Sequence, residues 1–310
     1  MSAERRPTIS IRTGDPRRGP VIRVAPVVLP DPSRVFATRA ARLEALAPGH
    51  PMAEWLSFVA ALCRAQAGAV AELPAPAPPA AAEVAQAVRA GFPPLAKDGY
   101  HRSPLWRDAL AFLLEVGSDL ELPDQALSVI GGLRHRSGDD MEMLARDYLA
   151  GEVGPDRAGE AMFSAAALQV HFTQLAAGLE PSALRLLEKF GLCPCCGSPP
   201  VAGIVTAAGA LPGTRYLHCG LCSTAWHHSR AICITCGNSG GLALAEFEGG
   251  NGAVKAETCD DCRTYAKMIY EMKDMKAEPL ADDLASLGLD LRVSEAGYAR
   301  HAPNPLIIGG

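Results

Sequence analysis

Two stretches of this chain are laid out on one cysteine spacing. Cys193, Cys196, Cys219 and Cys222 read C-x2-C-x22-C-x2-C, and Cys233, Cys236, Cys259 and Cys262 repeat it 40 residues later. Gly197 maps onto Gly237 and Arg215 onto Lys255 at the same offset. A fixed offset marks an internal repeat, one structural unit built twice. Two residues between cysteines let a tight turn aim both sulfurs at one point. A glycine after the second cysteine suits the positive φ that such a turn needs. Two such turns complete a tetrahedral set of four thiolates. The intervening residues are enough for a short antiparallel hairpin: VAGIVTAAG then TRYLH, and GLALAEFEGG then AVKAE, read as strand pairs around Gly-rich turns.

This is the layout of a zinc ribbon or a rubredoxin. The repeat favours pairing the first turn with the second and the third with the fourth, over an interleaved arrangement. Disulfides are the competing use of so many cysteines, but the first residues, MSAERRPTISIRTGDPRRGP, contain no apolar run of the kind that follows a secretory basic region. No stretch has the length of a membrane-spanning helix. A cytoplasmic chain is expected, where CxxC pairs bind metal or do redox work. Iron and zinc both accept four thiolates, and the spacing does not separate them. A closed four-thiolate site has no open coordination position, which argues against Lewis-acid hydrolysis. Cys195, inside the first turn, is surplus to such a site and reads as a bystander thiol. Cys63 sits among apolar residues at helical spacing and reads as a small core residue. His218, His227 and His228 lie near the cysteines, but four thiolates already close each site.

The formal net charge is −5, and residues 191–310 carry nine Lys and Arg against twelve Asp and Glu. A nucleic-acid-binding ribbon needs a basic face, so that function is disfavoured. Only residues 1–23 are basic, with six Arg against two acids. Upstream of the cysteines, residues 32–190 show apolar positions at helical spacing in successive segments, with PAPAPPAA at 74–81 as a helix-breaking linker. No Walker A, GxSxG, HExxH or dinucleotide fingerprint is present. His101, His135 and His171 stand alone and are expected as packing or surface residues. After the last cysteine, RTYAKMIYEMKDM places Tyr265, Met268, Ile269 and Met272 on one face of a helix, and PLADDLASLGLDLRVSEAGY reads as a second helix. The expected organisation is a basic arm (1–31), an all-helical domain (32–190), two metal modules of small antiparallel β-structure (191–230 and 231–270), and a C-terminal helix and tail (271–310).

The stretch AETCDDCRTYAKMIYEMKDMKAEPLADDLASLGLDLRVSEAGYARHAPNP resembles the C-terminal signature of the bacterial formate dehydrogenase accessory proteins of the FdhE type. RVFATRAARLEALAPGHPMAEWLSFVAALCRAQ is similar to that family's opening helices, and the likeness covers roughly residues 20–310. The resemblance implies a cytoplasmic, non-enzymatic assembly factor that binds the catalytic subunit of a respiratory formate dehydrogenase before its export. It implies rubredoxin-like iron, one ion per four-cysteine set, with zinc the alternative. The DDLASL segment with Asp282 and Asp283, Tyr265, and Tyr298 of GYAR are the candidate client surface. A rubredoxin-like electron carrier and a zinc-ribbon nucleic-acid binder are the alternative functions. Oligomeric state is not readable from the sequence.

Overall fold

A computed structural model describes residues 24–307 except 100, 101, 119, 121, 123 and 190. The basic arm up to residue 23, and His101, therefore lie outside the described residues.

A two-residue strand β1 (Val27–Val28) leads into seven helices: α1 (Pro32–Leu46), α2 (Ala53–Glu72), α3 (Ala81–Arg89), α4 (Leu105–Ser118), α5 (Asp124–Arg134), α6 (Gly138–Ala150) and α7 (Ala158–Ala177). Local chemistry sets their ends. The Asp31 side chain accepts from the Ser33 amide ahead of Pro32, and the Ser137 side chain caps the Asp140 amide. Gly151, at φ 77°, closes α6 in the left-handed conformation. Helix α7 is apolar nearly all round and buried from Ala161 to Thr173, so it forms the centre on which α2, α4, α5 and α6 pack. Two buried glutamines, Gln66 of α2 and Gln169 of α7, tie it to its neighbours. The Gln66 amide donates to Ala166 O (2.8 Å) and Gln169 Oε1 (2.9 Å), and the Gln169 amide donates to Gly220 O (2.7 Å) in the cysteine region.

The cysteine region supplies β2 (Pro200–Val205), β3 (Arg215–Cys219), β4 (Ala225–His227), β5 (Leu242–Ala245), β6 (Val254–Cys259) and β7 (Thr264–Tyr270). Helices α8 (Pro279–Ala285) and α9 (Leu287–Glu295) and strand β8 (Ala299–Arg300) follow. The two modules are not separate sheets. The strand order is β1-β4-β3-β2-β7-β6-β5, with β8 also on β7. The first strand of one module thus pairs in parallel with the last strand of the other, Gly203 opposite Met268 and Val205 opposite Tyr270. A Cβ at Gly203 would lie 2.6 Å from Met268 Sδ, so glycine lets the strands pair without displacing that buried side chain.

Two expectations fail here. The segment after Cys262 is strand β7, not a helix. Its interior residues, Tyr265 to Ile269, are buried on both faces because neighbouring strands flank it and other elements cover it. Such a strand is apolar almost continuously, and a continuous run satisfies helical spacing as readily as any other. The segment read as one later helix is two, broken at Ser286. The Ser286 hydroxyl donates to the carbonyls of Asp282 (2.7 Å) and Asp283 (3.1 Å), and Lys267 Nζ donates to Asp283 O (2.6 Å), which ends α8. The C-terminal tail docks back: Asn304 and Leu306 are buried, and the Asn304 amide donates to Leu280 O (3.0 Å).

Candidate metal centres

Each module folds its two CxxC turns toward each other. In the first, the Gly197 amide donates to Cys193 O (2.9 Å) and the Cys193 amide to Ser198 O (2.9 Å), with Gly197 at φ 77°. In the second, Gly237 donates to Cys233 O (3.0 Å) and Cys233 to Asn238 O (2.8 Å), with Gly237 at φ 79°. The turns that close each module use non-glycine residues for the same bend: Ser223 at φ 57° and Arg263 at φ 54°. These two are also 40 residues apart.

The sulfurs form two sets, Cys193, Cys196, Cys219, Cys222 and Cys233, Cys236, Cys259, Cys262, each with all four atoms within 4.8 Å of one another. Pairing is sequential. The Cys193–Cys222 and Cys196–Cys219 separations are both 3.5 Å, and Cys233–Cys262 and Cys236–Cys259 are 3.7 and 3.8 Å. A tetrahedron with metal–sulfur bonds of about 2.3 Å has edges of about 3.8 Å, so both sets fit a tetrahedral ion. No cysteine is paired in a disulfide, and eight of the ten sulfurs instead gather in fours. In the first set burial pushes the Cys193 and Cys219 thiols up, while hydrogen bonds from the neighbouring cysteines hold Cys222 down against its burial. Each set is able to hold a metal ion.

Further groups steady the sulfurs. The amides of Leu221 (3.3 Å) and Cys222 (3.4 Å) donate to Cys219 Sγ, and the Thr235 amide donates to Cys233 Sγ (3.4 Å). Thr224 Oγ1 lies 3.2 Å from Cys222 Sγ, and Thr264 Oγ1 lies 3.0 Å from Cys262 Sγ. The two threonines obey the offset of 40 that the cysteines obey, so the repeat in the sequence marks them too. Cys195 is buried beside the first set and outside it. Cys63 is a core thiol, its pKa pushed up to about 12 by burial. None of the three nearby histidines joins either set. His218 is held neutral by burial, its pKa lowered to about 4, and His228 Nδ1 lies 2.8 Å from Arg215 Nη2.

The candidate client-surface residues are mostly interior. Asp283 is fully buried. It faces Lys267 Nζ at 3.3 Å and Arg300 Nη2 at 2.5 Å, and it accepts from the Asn304 amide at 2.8 Å. Asp282, also buried, pairs with Arg42 at 2.5 Å and so ties α8 to α1. The buried Tyr265 hydroxyl donates to Asp290 Oδ1 at 2.7 Å. Asp283 and Tyr265 lock the C-terminal helices to the sheet, Asp282 locks α8 to α1, and a partner reaching any of the three would first have to open the fold. Tyr298 is partly exposed, stacked under the Arg263 guanidinium with its hydroxyl 2.5 Å from Asp260 Oδ1. Among the described residues, no helix is long and apolar enough to cross a membrane.

Three family models match the chain in order: FdhE, N-terminal (residues 24–188), FdhE, central domain (192–230), and FdhE, C-terminal domain (232–307). The protein FdhE homolog of Edwardsiella ictaluri is 40% identical over 299 residues, covering 95% of each chain. Protein FdhE of Escherichia coli is 37% identical over 290 residues, covering 93% of this chain and 92% of the relative. The crystal structure of the FdhE protein from Pseudomonas aeruginosa superposes with a TM-score of 0.83 at 38% identity, over 92% of this chain and 99% of that one.

Proposed function

The chain belongs to the FdhE family, and from that premise we propose that it is a non-catalytic assembly factor that holds the immature catalytic subunit of a respiratory formate dehydrogenase in the cytoplasm. On this reading Cys193, Cys196, Cys219 and Cys222 ligate one ion and Cys233, Cys236, Cys259 and Cys262 a second, with iron preferred to zinc. The observation that carries the reading is the closed character of both sites: four thiolates at tetrahedral spacing leave no coordination position for a substrate. Such sites hold structure or exchange single electrons; they do not polarise a reactant.

The ions have two uses. Each modulе is too small for a large core of its own, and a bound ion contributes folding free energy directly. If the ions are iron, oxidation also changes charge, since a ferric four-thiolate site carries −1 and a ferrous one −2. A client surface near such a site would feel that change. The test is binding of the immature catalytic subunit to metal-loaded protein, oxidised and reduced. Binding in both states with different affinities supports a redox-sensing role, equal affinities leave docking alone, and no binding in either state refutes the reading.

One observation favours a second reading. Cys236 is exposed, so the second site offers a short path for an electron to the surface. A free electron carrier would exchange electrons reversibly with small redox proteins and would bind no catalytic subunit.

A further inference from the structure

The two modules are copies in sequence, yet the rest of the chain covers them differently. Over the first turn of the first module lies a strap from the α3–α4 connection. Its chain turns at Pro93–Ala96, with the Ala96 amide donating to Pro93 O (3.2 Å). Leu95 is fully buried there. The Leu95 amide donates to Cys195 O (2.8 Å), and the Lys97 amide donates to Cys196 O (2.9 Å). The Pro93 ring rests on Gly197, where a Cβ would lie 3.1 Å from it. The result is that Cys196 and its three partner cysteines are fully shielded.

The same turn 40 residues later has no strap. Among the described residues, no hydrogen bond reaches the carbonyls of Thr235 and Cys236, the counterparts of Cys195 and Cys196. Gly191 approaches the turn at Ile234 O, and His301 Nδ1 lies 2.8 Å from the Thr235 hydroxyl, but neither covers the two carbonyls. Thr235 and Cys236 are exposed, and Cys262 is partly so. Two backbone acceptors without a described partner and a ligand cysteine thus lie on an exposed turn whose twin is capped. The surroundings are acidic. Asp260 and Asp261 are exposed beside it, with Arg263 as the neighbouring cation, and four thiolates around a divalent ion add −2.

We propose that the turn Cys233–Asn238 is the docking site for a proline-led turn of another polypeptide. That turn has the form Pro-Leu-x-Lys that residues 94–97 present to the first module. Its leucine and lysine amides would bond the carbonyls of Thr235 and Cys236. Its aliphatic side chain would cover Cys236, and its lysine would face Asp260 and Asp261. The partner that supplies the turn is the client subunit, and this assignment rests on the function proposed above. Docking completes on the second module the cover that the chain itself provides on the first, and it removes water from the exposed sulfur.

The test is amide hydrogen exchange on the metal-loaded full chain with two additions. One is the immature catalytic subunit. The other is a free peptide of residues 91–99, GFPPLAKDG, for which the first module is already occupied by its own strap. The proposal expects both additions to slow exchange in 233–238. It also expects the double variant Asn238→Lys, Asp261→Lys, with its metal content retained, to bind the subunit about ten-fold more weakly. Protection confined to other segments, or unchanged affinity in the variant, overturns the docking site while leaving the client reading intact. If the subunit does not bind the unaltered chain, the client reading fails, and the peptide decides the site alone: protection of 233–238 upholds it and no protection overturns it.

Discussion

Asp283→Ala is expected to destabilise the C-terminal half of the molecule severely, because Asp283 neutralises two cations in the interior. Its carboxylate is fully buried, as is the ammonium of Lys267, and Arg300 is mostly so. Together with Asp290 the four charges sum to zero. Lys267 Nζ is 2.5 Å from Asp290 Oδ2, and Arg300 Nη1 is 3.1 Å from Asp290 Oδ1. Removing Asp283 leaves one uncompensated positive charge in a site without water to solvate it. Breaking a buried pair in this way costs about 3–5 kcal/mol. At about 2–4 °C per kcal/mol, the midpoint of thermal unfolding falls by roughly 6–20 °C. The assay is a melt of metal-loaded protein followed by circular dichroism, beside Glu115→Ala as an exposed control. The double replacement Lys267→Met, Asp283→Leu should recover part of the loss, because the two buried charges that remain, Arg300 and Asp290, balance each other. A midpoint within about 2 °C of the parent would refute the account of the network. Weaker client binding at unchanged stability would return Asp283 to the role of surface residue.

Three further outcomes are expected. A competing thiol-reactive chelator should withdraw the ions in two steps of one ion per chain, the second module emptying first because Cys236 is exposed; release in a single phase would contradict the unequal cover. Gly203→Val should destabilise the β2–β7 junction by about 1–3 kcal/mol through the contact with Met268, and Met268→Ala should partly rescue it in the same melt. His171 is held neutral by burial, its pKa lowered to about 4 from about 6.5, so the unfolded chain takes up its proton first as pH falls. Stability from this group is complete above pH 6.5 and is lost progressively between 6.5 and 4; His171→Leu should recover up to about 3 kcal/mol at the acid end, read from denaturant midpoints across that range.

The metal sites were legible because a ligand set imposes exact distances on sequence. The offset of 40 located all eight cysteines and the sequential pairing, and it also marks Thr224 and Thr264 beside the sulfurs. The helices before residue 190 were legible through their caps and periodicity. Strand β7 was not, because burial on both faces erases the alternation that distinguishes a strand. Nor could the sequence say that Asp282 and Asp283 are interior. A DD pair at a helix start reads as surface until its counter-charges are known, and those lie on Lys267, Arg300 and Arg42, the last 240 residues away. The strap at residues 93–97 carries no signal of its own in the sequence, since its role depends on a turn a hundred residues later.

Metal per chain shows at once whether each module holds its own ion. Anaerobically purified protein should contain two ions per chain, with ferric–thiolate absorption on oxidation if they are iron. Cys193→Ser and Cys236→Ser should each retain one. A single ion in the parent chain, or loss of both ions from either variant, would contradict two independent four-cysteine sites.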